Sequence, residues 1–398
     1  MIKFALTFSI IAVGLAGKSA IDKLLTLRGG AELVALWAQL ASVIEMVVGV
    51  ALAGVGTGLA VYVARSRQPE RQREHLIEAL KIGLRIALPV AIAIGATGYA
   101  FSDLLAGARV TPAVFALAAG AGWIAVVPAL VSSFWLGRKS LGLMLALGLA
   151  STALALAALL SAPERFALEF LAISQALPAV VFLLLRSPGS APVRSRRRRH
   201  PLRRYVLPGL SIGILGPVSL IIARGAIGDS LSWHDAGVLQ ALFRVTDWVC
   251  ALAGGILSLH YLPRFAQARP GPELGFELRK AARTMLLPAA IAFAVLGLLH
   301  RPLLATLYDS SVQASDAGIA LFFAGSLVRI ASWIPLVALY AMRRTREIAI
   351  GELLSLPLFA ALTLAAGKHL TLEMAGAFWF VSYSAYGAYN LRSVRKSK

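Results

Sequence analysis

Long apolar stretches, each broken only by a short polar or basic connection, dominate this chain. About twelve can be counted, at roughly 3–26, 33–64, 79–103, 112–136, 141–160, 166–186, 205–227, 235–262, 283–306, 314–342, 347–366 and 372–391. Each is long enough to cross about 30 Å of hydrocarbon, which takes roughly 20 helical residues. No water is available there to satisfy a backbone amide, so every one of these runs is predicted to be a helix. The first is too long for a cleaved signal peptide and is interrupted by Lys18, Asp22 and Lys23. The expected fold class is an all-α polytopic membrane protein.

The pattern also repeats. Leu88-Pro89-Val90-Ala91-Ile92-Ala93 returns as Leu287-Pro288-Ala289-Ala290-Ile291-Ala292, and Leu104-Leu105-Ala106 as Leu303-Leu304-Ala305, both at an offset of 199 residues. Ala51-Leu52-Ala53-Gly54 returns as Ala251-Leu252-Ala253-Gly254 at an offset of 200. The near-constant offset points to internal duplication. It predicts a six-helix lobe over 1–186, a basic linker over 187–204 and a second six-helix lobe over 205–398. Six spans is an even number, so the two lobes share one orientation, as parallel repeats do.

Composition sharpens this picture. The chain is 58% hydrophobic and 15% charged with a mean hydropathy of +0.76, which excludes an ordinary soluble domain. A net charge of +20 suggests nucleic acid until its distribution is considered. Most Lys and Arg follow even-numbered spans: Arg65, Arg71 and Arg73 after the second, Arg138 and Lys139 after the fourth, Arg196–Arg199 after the sixth, Arg279 and Lys280 after the eighth, and Arg343, Arg344 and Arg346 after the tenth. The odd connections hold little beyond Arg28, Arg109, Arg165, Arg301 and Lys368. This alternation places both termini and the even connections in the cytoplasm. Arg196–Arg199 then reads as a topology signal that also contacts anionic membrane lipid; no aromatic platform or fold motif makes it a nucleic-acid site. External connections of about ten residues or fewer leave no room for the catalytic domain expected of a membrane glycosyltransferase or polymerase. The lone Cys250 can form no intramolecular disulfide.

The informative residues are ionisable ones inside spans, where Arg, Lys or Asp costs about 2.5–3.5 kcal/mol on insertion scales and therefore faces a partner or a watery cavity. They are Lys18 and Asp22 in span one, Glu45 in span two, Arg85 in span three, Arg224 in span seven, Arg244 and Asp247 in span eight, and Arg329 in span ten. Three readings stand. Lys18 with Asp22, and Arg244 with Asp247, are spaced to neutralise one another along a helix. Arg224 and Arg329, with no acid within a turn of their own helix, suit a net-basic cavity for an anionic substrate. Asp22, Glu45 and Asp247 suit coupling to an ion gradient. Gly54-x-Gly56-x-Gly58 lies inside a span and reads as helix packing. Pro89, Pro128, Pro288 and Pro335 free backbone carbonyls mid-span, as bending points or fixed kinks. His234, His260 and His300 lack metal-ligand spacing, and neither a catalytic constellation nor a cofactor motif is present, so the chain does not read as an enzyme.

Span eight carries a family signal. Asp235-Ala236-Gly237-Val238-Leu239-Gln240-Ala241-Leu242-Phe243-Arg244-Val245-Thr246-Asp247, followed by Tyr261-Leu262-Pro263-Arg264, resembles the "aG-x-x-Q-x-L-x-R-x-S/T-D … Y-L-P-+" segment of Wzx-type flippases for O-antigen and lipid-linked oligosaccharides. Span two, with Gly29-Gly30, Gln39-Leu40, the glycine string and Tyr62-Val63, is similar to that family's early pattern and puts Gln39 where Gln240 stands in the second half. The motifs cover about 65 residues. Leu239 departs from the aromatic that relatives often carry, which leaves substrate details open.

The resemblance implies the multidrug/oligosaccharidyl-lipid/polysaccharide superfamily: a V-shaped pair of six-helix bundles with a central cavity, working by alternating access in the bacterial inner membrane. The implied substrate is a polyprenyl-pyrophosphate-linked oligosaccharide, and a polysaccharide polymerase complex is the implied protein partner. Arg224, Arg244 and Arg329, then Lys18 and Arg85, become candidate anion contacts. Gln39 and Gln240 become candidate sugar contacts or interhelical ties. The competing readings are a cation-coupled drug exporter of the same superfamily, a peptidoglycan-precursor flippase, a membrane glycosyltransferase, and a non-transporting assembly partner.

Overall fold

The computed structural model describes residues 2–66, 68–107, 109–184, 206–269 and 271–396. The linker at 187–204, with Arg196–Arg199, lies outside the described residues. What is described is helical throughout, and the fold class read from the hydropathy pattern holds.

The first half runs α1 (Ile2–Ala51), a π-helical turn over Leu52–Gly56, α2 (Thr57–Arg65), α3 (Pro69–Ala100), α4 (Ser102–Ala106), α5 (Pro112–Gly137), α6 (Leu141–Ser161), α7 (Ala167–Ser174) and α8 (Leu177–Leu184). From residue 206 onward come α9 (Val206–Ser230), α10 (Trp233–Ile256), a second π-helical turn over Leu257–Tyr261, α11 (Leu262–Gln267), α12 (Pro272–Leu298), α13 (His300–Leu307), α14 (Asp316–Ala341), α15 (Thr345–Glu352), α16 (Leu356–Ala366) and α17 (Leu372–Arg395). Eight described segments are long and apolar enough to cross a membrane. One of these, Phe8–Ala51, takes in most of the first predicted span and over half of the second, and shorter helices in series make up others.

Local chemistry explains where these helices start, bend and stop. The first two spans are parted only at Gly29 and Gly30, not by a polar loop; Gly30 sits at φ 67°, ψ −170°, a backbone state that glycine alone enters cheaply. Ser232, Ser315 and Thr371 cap α10, α14 and α17, each hydroxyl accepting a backbone N–H from three residues on. Pro89, Pro128, Pro288 and Pro335 lie inside α3, α5, α12 and α14 as expected, and Pro217 lies inside α9.

Two compact units emerge. Unit 1 comprises Met1–Leu24 and Leu36–Ile221; unit 2 comprises Leu25–Ala35 and Ile222–Lys398. These boundaries follow contacts, whereas the predicted lobes count spans, so the turn around Gly29 and Gly30 falls in the second unit. Within unit 1, α3 packs along α5, and Gly56 and Gly58 of the glycine string lie buried. A Cβ on Gly56 would come within 2.9 Å of the Ser133 hydroxyl on α5. Within unit 2 the closest pairing is α14 with α17. There Gly325 is needed for contact: a Cβ would lie 2.9 Å from the Phe380 amide nitrogen. The core beside it is aromatic, with the buried Trp379 ring 4.8 Å from Phe243, 5.4 Å from Phe322 and 5.2 Å from Phe359.

Candidate functional site

The polar residues of the span-eight motif form a stripe. Gln240, Arg244 and Asp247 stand at i, i+4 and i+7 on α10, so they share one face over about 10 Å of helix. Ser232 starts that helix, and its hydroxyl also lies 2.5 Å from an Asp235 carboxylate oxygen, so the acidic residue opening the motif serves the cap.

Each end of the stripe meets another helix. Arg224 of α9, only 3% exposed, donates from Nη1 to Gln240 Oε1 at 2.8 Å. At the other end, Arg329 of α14 donates from Nη1 to Asp247 Oδ1 at 3.3 Å. Three aromatic faces close around that guanidinium: its central carbon lies 4.9 Å from the Trp333 ring centre, 5.6 Å from Trp379 and 5.8 Å from Tyr383. Such contacts stabilise a desolvated cation by about 0.5–2 kcal/mol each. Arg329 Nε is buried with no hydrogen-bond partner, and the buried Cys250 thiol lies against the same guanidinium. Arg244, buried, stands one turn from both Gln240 and Asp247. Arg224, Arg244 and Arg329 thus gather along this face with Gln240 and Asp247.

Unit 1 holds the other candidates. Lys18 Nζ lies 3.2 Å from Glu45 Oε1, across the break in α1, and both side chains are more than half exposed. Asp22 is buried, and Arg85 is exposed on α3. Gln39 is buried and donates from Nε2 to the carbonyls of Leu105 at 2.9 Å and Ile221 at 3.1 Å, tying α1 to α4 and α9. Gln39 and Gln240, matched by the repeat, thus bind different groups: one holds carbonyls, the other a guanidinium.

Helix spacing pointed to Lys18 with Asp22 and to Arg244 with Asp247. The ion pairs found are Lys18–Glu45 and Asp247–Arg329, the second joining residues 82 apart. Arg329, which has no acid within a turn on its own helix, therefore receives one from α10. The aromatic enclosure by Trp333, Trp379 and Tyr383 was not anticipated, although Arg329/Trp333 and Trp379/Tyr383 are both spaced i, i+4. Nor was Glu352 of α15, whose carboxylate accepts the Tyr386 hydroxyl at 2.7 Å.

No family model matches the chain, and no curated protein sequence does. Solved structures match over almost its whole length. A multidrug resistance MATE family transporter of the MOP superfamily, inward-facing, is similar with TM-score 0.68 at 12% identity, covering 98% of this chain and 94% of that one. The outward-facing conformation of a MATE family transporter gives 0.66 at 14%, over 99% and 95%. The lipid II flippase MurJ, in an inward closed conformation, gives 0.69 at 13%, over 99% and 87%. At these identities the likeness is one of fold: the chain is a multi-pass membrane protein with the fold of MOP-superfamily transporters.

Proposed function

We propose that this protein is a flippase that turns a polyprenyl-pyrophosphate-linked oligosaccharide, such as an O-antigen-like repeat unit, from the cytoplasmic to the outer leaflet of a bacterial inner membrane. The observation that carries the reading is the gathering of Arg224, Arg244 and Arg329 on α9, α10 and α14. Three guanidiniums gathered on these helices, two of them buried, suit an anionic ligand, because arginine forks give phosphate oxygens paired, charge-assisted contacts. Pyrophosphate cannot cross hydrocarbon unaided, whereas a polyprenyl tail is at home in it. The resemblance of span eight to oligosaccharide flippases and the fold shared with a lipid II flippase support the same reading. In this account Arg224, Arg244 and Arg329 contact the pyrophosphate, with Lys18 and Arg85 as further cations on its path. Gln240 orients Arg224, Gln39 ties helices, and Asp22, Glu45 and Asp247 are the groups available for ion coupling. The charge alternation orients both termini to the cytoplasm, and a polysaccharide polymerase complex is the expected downstream partner.

A second reading, cation-coupled export of amphipathic drugs, is favoured by one feature: Asp247 beside three aromatic faces is a pairing that an organic cation would use. Arg329 already fills it, which is why the anionic substrate is preferred.

The test is leaflet-resolved flipping of a fluorescent polyprenyl-pyrophosphate oligosaccharide in proteoliposomes. Arg224→Ala and Arg329→Ala should slow flipping by about tenfold or more, the effect of losing about 1.4 kcal/mol of anion contact. Arg224→Lys and Arg329→Lys, which keep the charge, should retain more activity and report on folding. Undiminished flipping in both alanine variants would remove these arginines from the substrate path. Wild-type transport of organic cations without flipping would favour the exporter.

A further inference from the structure

A concavity in unit 2 lies away from the charged stripe. It is an apolar groove of about 470 Å³ between α12, α14 and α17, walled by Leu278, Ala282 and Leu286 and floored by Ala331, Pro335 and Ala388. That volume is in the range of pockets that hold small ligands. Its floor is deep because the facing positions of α14 and α17 carry small side chains: a Cβ on Gly387 would come within 3.2 Å of Ser332 Cβ. Ser332 adds little polarity, since its hydroxyl donates to the Arg329 carbonyl of its own helix.

One end of the groove is different. Arg279 lines it there, exposed, and Arg283 follows one turn later; among the described residues neither makes a hydrogen bond or an ion pair. From Arg279 to Leu286 the groove runs for about 10 Å along α12. That fits within one leaflet, whose hydrocarbon is about 15 Å deep.

We propose that this groove is a binding site for an anionic glycerophospholipid of the leaflet at the basic ends of these helices. One acyl chain lies along Leu278, Ala282 and Leu286, and the phosphate rests on Arg279. The chemistry is complementary at both ends: an unbranched hydrocarbon against an apolar wall, and a net negative headgroup against two guanidiniums that no carboxylate among the described residues neutralises. A zwitterionic headgroup would bring an ammonium of its own to the same place. The tail of the transported lipid is a poorer occupant. Val328, Ala331, Ser332 and Pro335 face the groove, whereas Arg329 and Trp333 lie roughly a third of a turn around α14, so the helix separates the groove from the charged stripe. The inference needs only that these helices span a membrane; it does not depend on which substrate is carried.

The experiment is native mass spectrometry of the purified full chain, titrated with phosphatidylglycerol or phosphatidylcholine of identical acyl chains. The wild type should bind phosphatidylglycerol several-fold more tightly than phosphatidylcholine. Arg279→Gln should bring phosphatidylglycerol down to the phosphatidylcholine level. Ala388→Phe, at an exposed position where bulk fills the groove and not the core, should weaken both lipids. Arg395→Gln, at the same end of α17 but outside the groove, should change neither. Equal binding of the two lipids by wild type, or unchanged binding in both groove variants, would overturn the site. A dimer mass abolished by Ala388→Phe would assign the groove to a second copy of the chain. Tighter binding of polyprenyl phosphate than of phosphatidylglycerol would assign it to the carried lipid.

Discussion

Arg329 shows how much of an intramembrane charge is decided by its neighbours. Its guanidinium has one carboxylate, Asp247, and three aromatic faces, Trp333, Trp379 and Tyr383, so removing any single partner leaves the others imperfectly matched. The Arg329 side chain is 19% exposed and that of Asp247 35%, which places the pair between a surface bridge and a fully buried one. A double-mutant cycle with Asp247→Asn and Arg329→Gln, read by thermal unfolding in detergent, should therefore return a coupling of about 1–2 kcal/mol. Additivity within about 0.5 kcal/mol would mean that the contact has no energetic weight. At this scale the sequence was a good guide to which residues matter and a poor guide to what they touch. Arg224, Arg244, Asp247 and Arg329 stand out because charge is rare in a span. Their partners do not, because α9, α10 and α14 meet only through tertiary packing. The aromatic faces stay hidden for a further reason: Trp and Tyr in an apolar run look like ordinary membrane-span residues.

The breaks between helices are less visible in the pattern than the helices themselves. A polar gap near residues 27–32 suggested a loop between the first two spans, yet the chain passes from one to the other across two glycines. Gly30, at φ 67° and ψ −170°, is the position a side chain would strain. Gly30→Ala should lower stability by about 1–3 kcal/mol, and by more than Gly29→Ala, whose φ is negative. Thermal midpoints of the two variants, compared in one lipid environment, check the order; the reverse order would mean that this break tolerates a side chain. The π-helical turns at Leu52–Gly56 and Leu257–Tyr261 were not legible at all. A helix that is apolar on every side carries little hydrophobic period, so a residue added to one turn leaves no mark on hydropathy.

For the molecule as a whole, physical constraint and sequence pattern agree most closely. Lipid forbids unsatisfied backbone, so apolar length converts directly into helices, and the all-α polytopic class follows without knowledge of any contact. How those helices cluster is a different matter: Leu25–Ala35 joins the second unit although it stands in the first lobe of the sequence. No count of spans contains that information. Under the proposed flippase function, the chain also holds a clock for its cycle. Its one cysteine, Cys250, is buried against the Arg329 guanidinium, and a thiol reacts with maleimide as the thiolate, which requires water. A membrane-impermeant maleimide should modify the resting protein slowly and the transporting protein faster, by a factor that reports how often the charged stripe is hydrated. Equal rates in resting, transporting and unfolded protein would mean that the thiol is never shielded. Otherwise the wild-type chain, with no engineered residue, times the opening of its own interior.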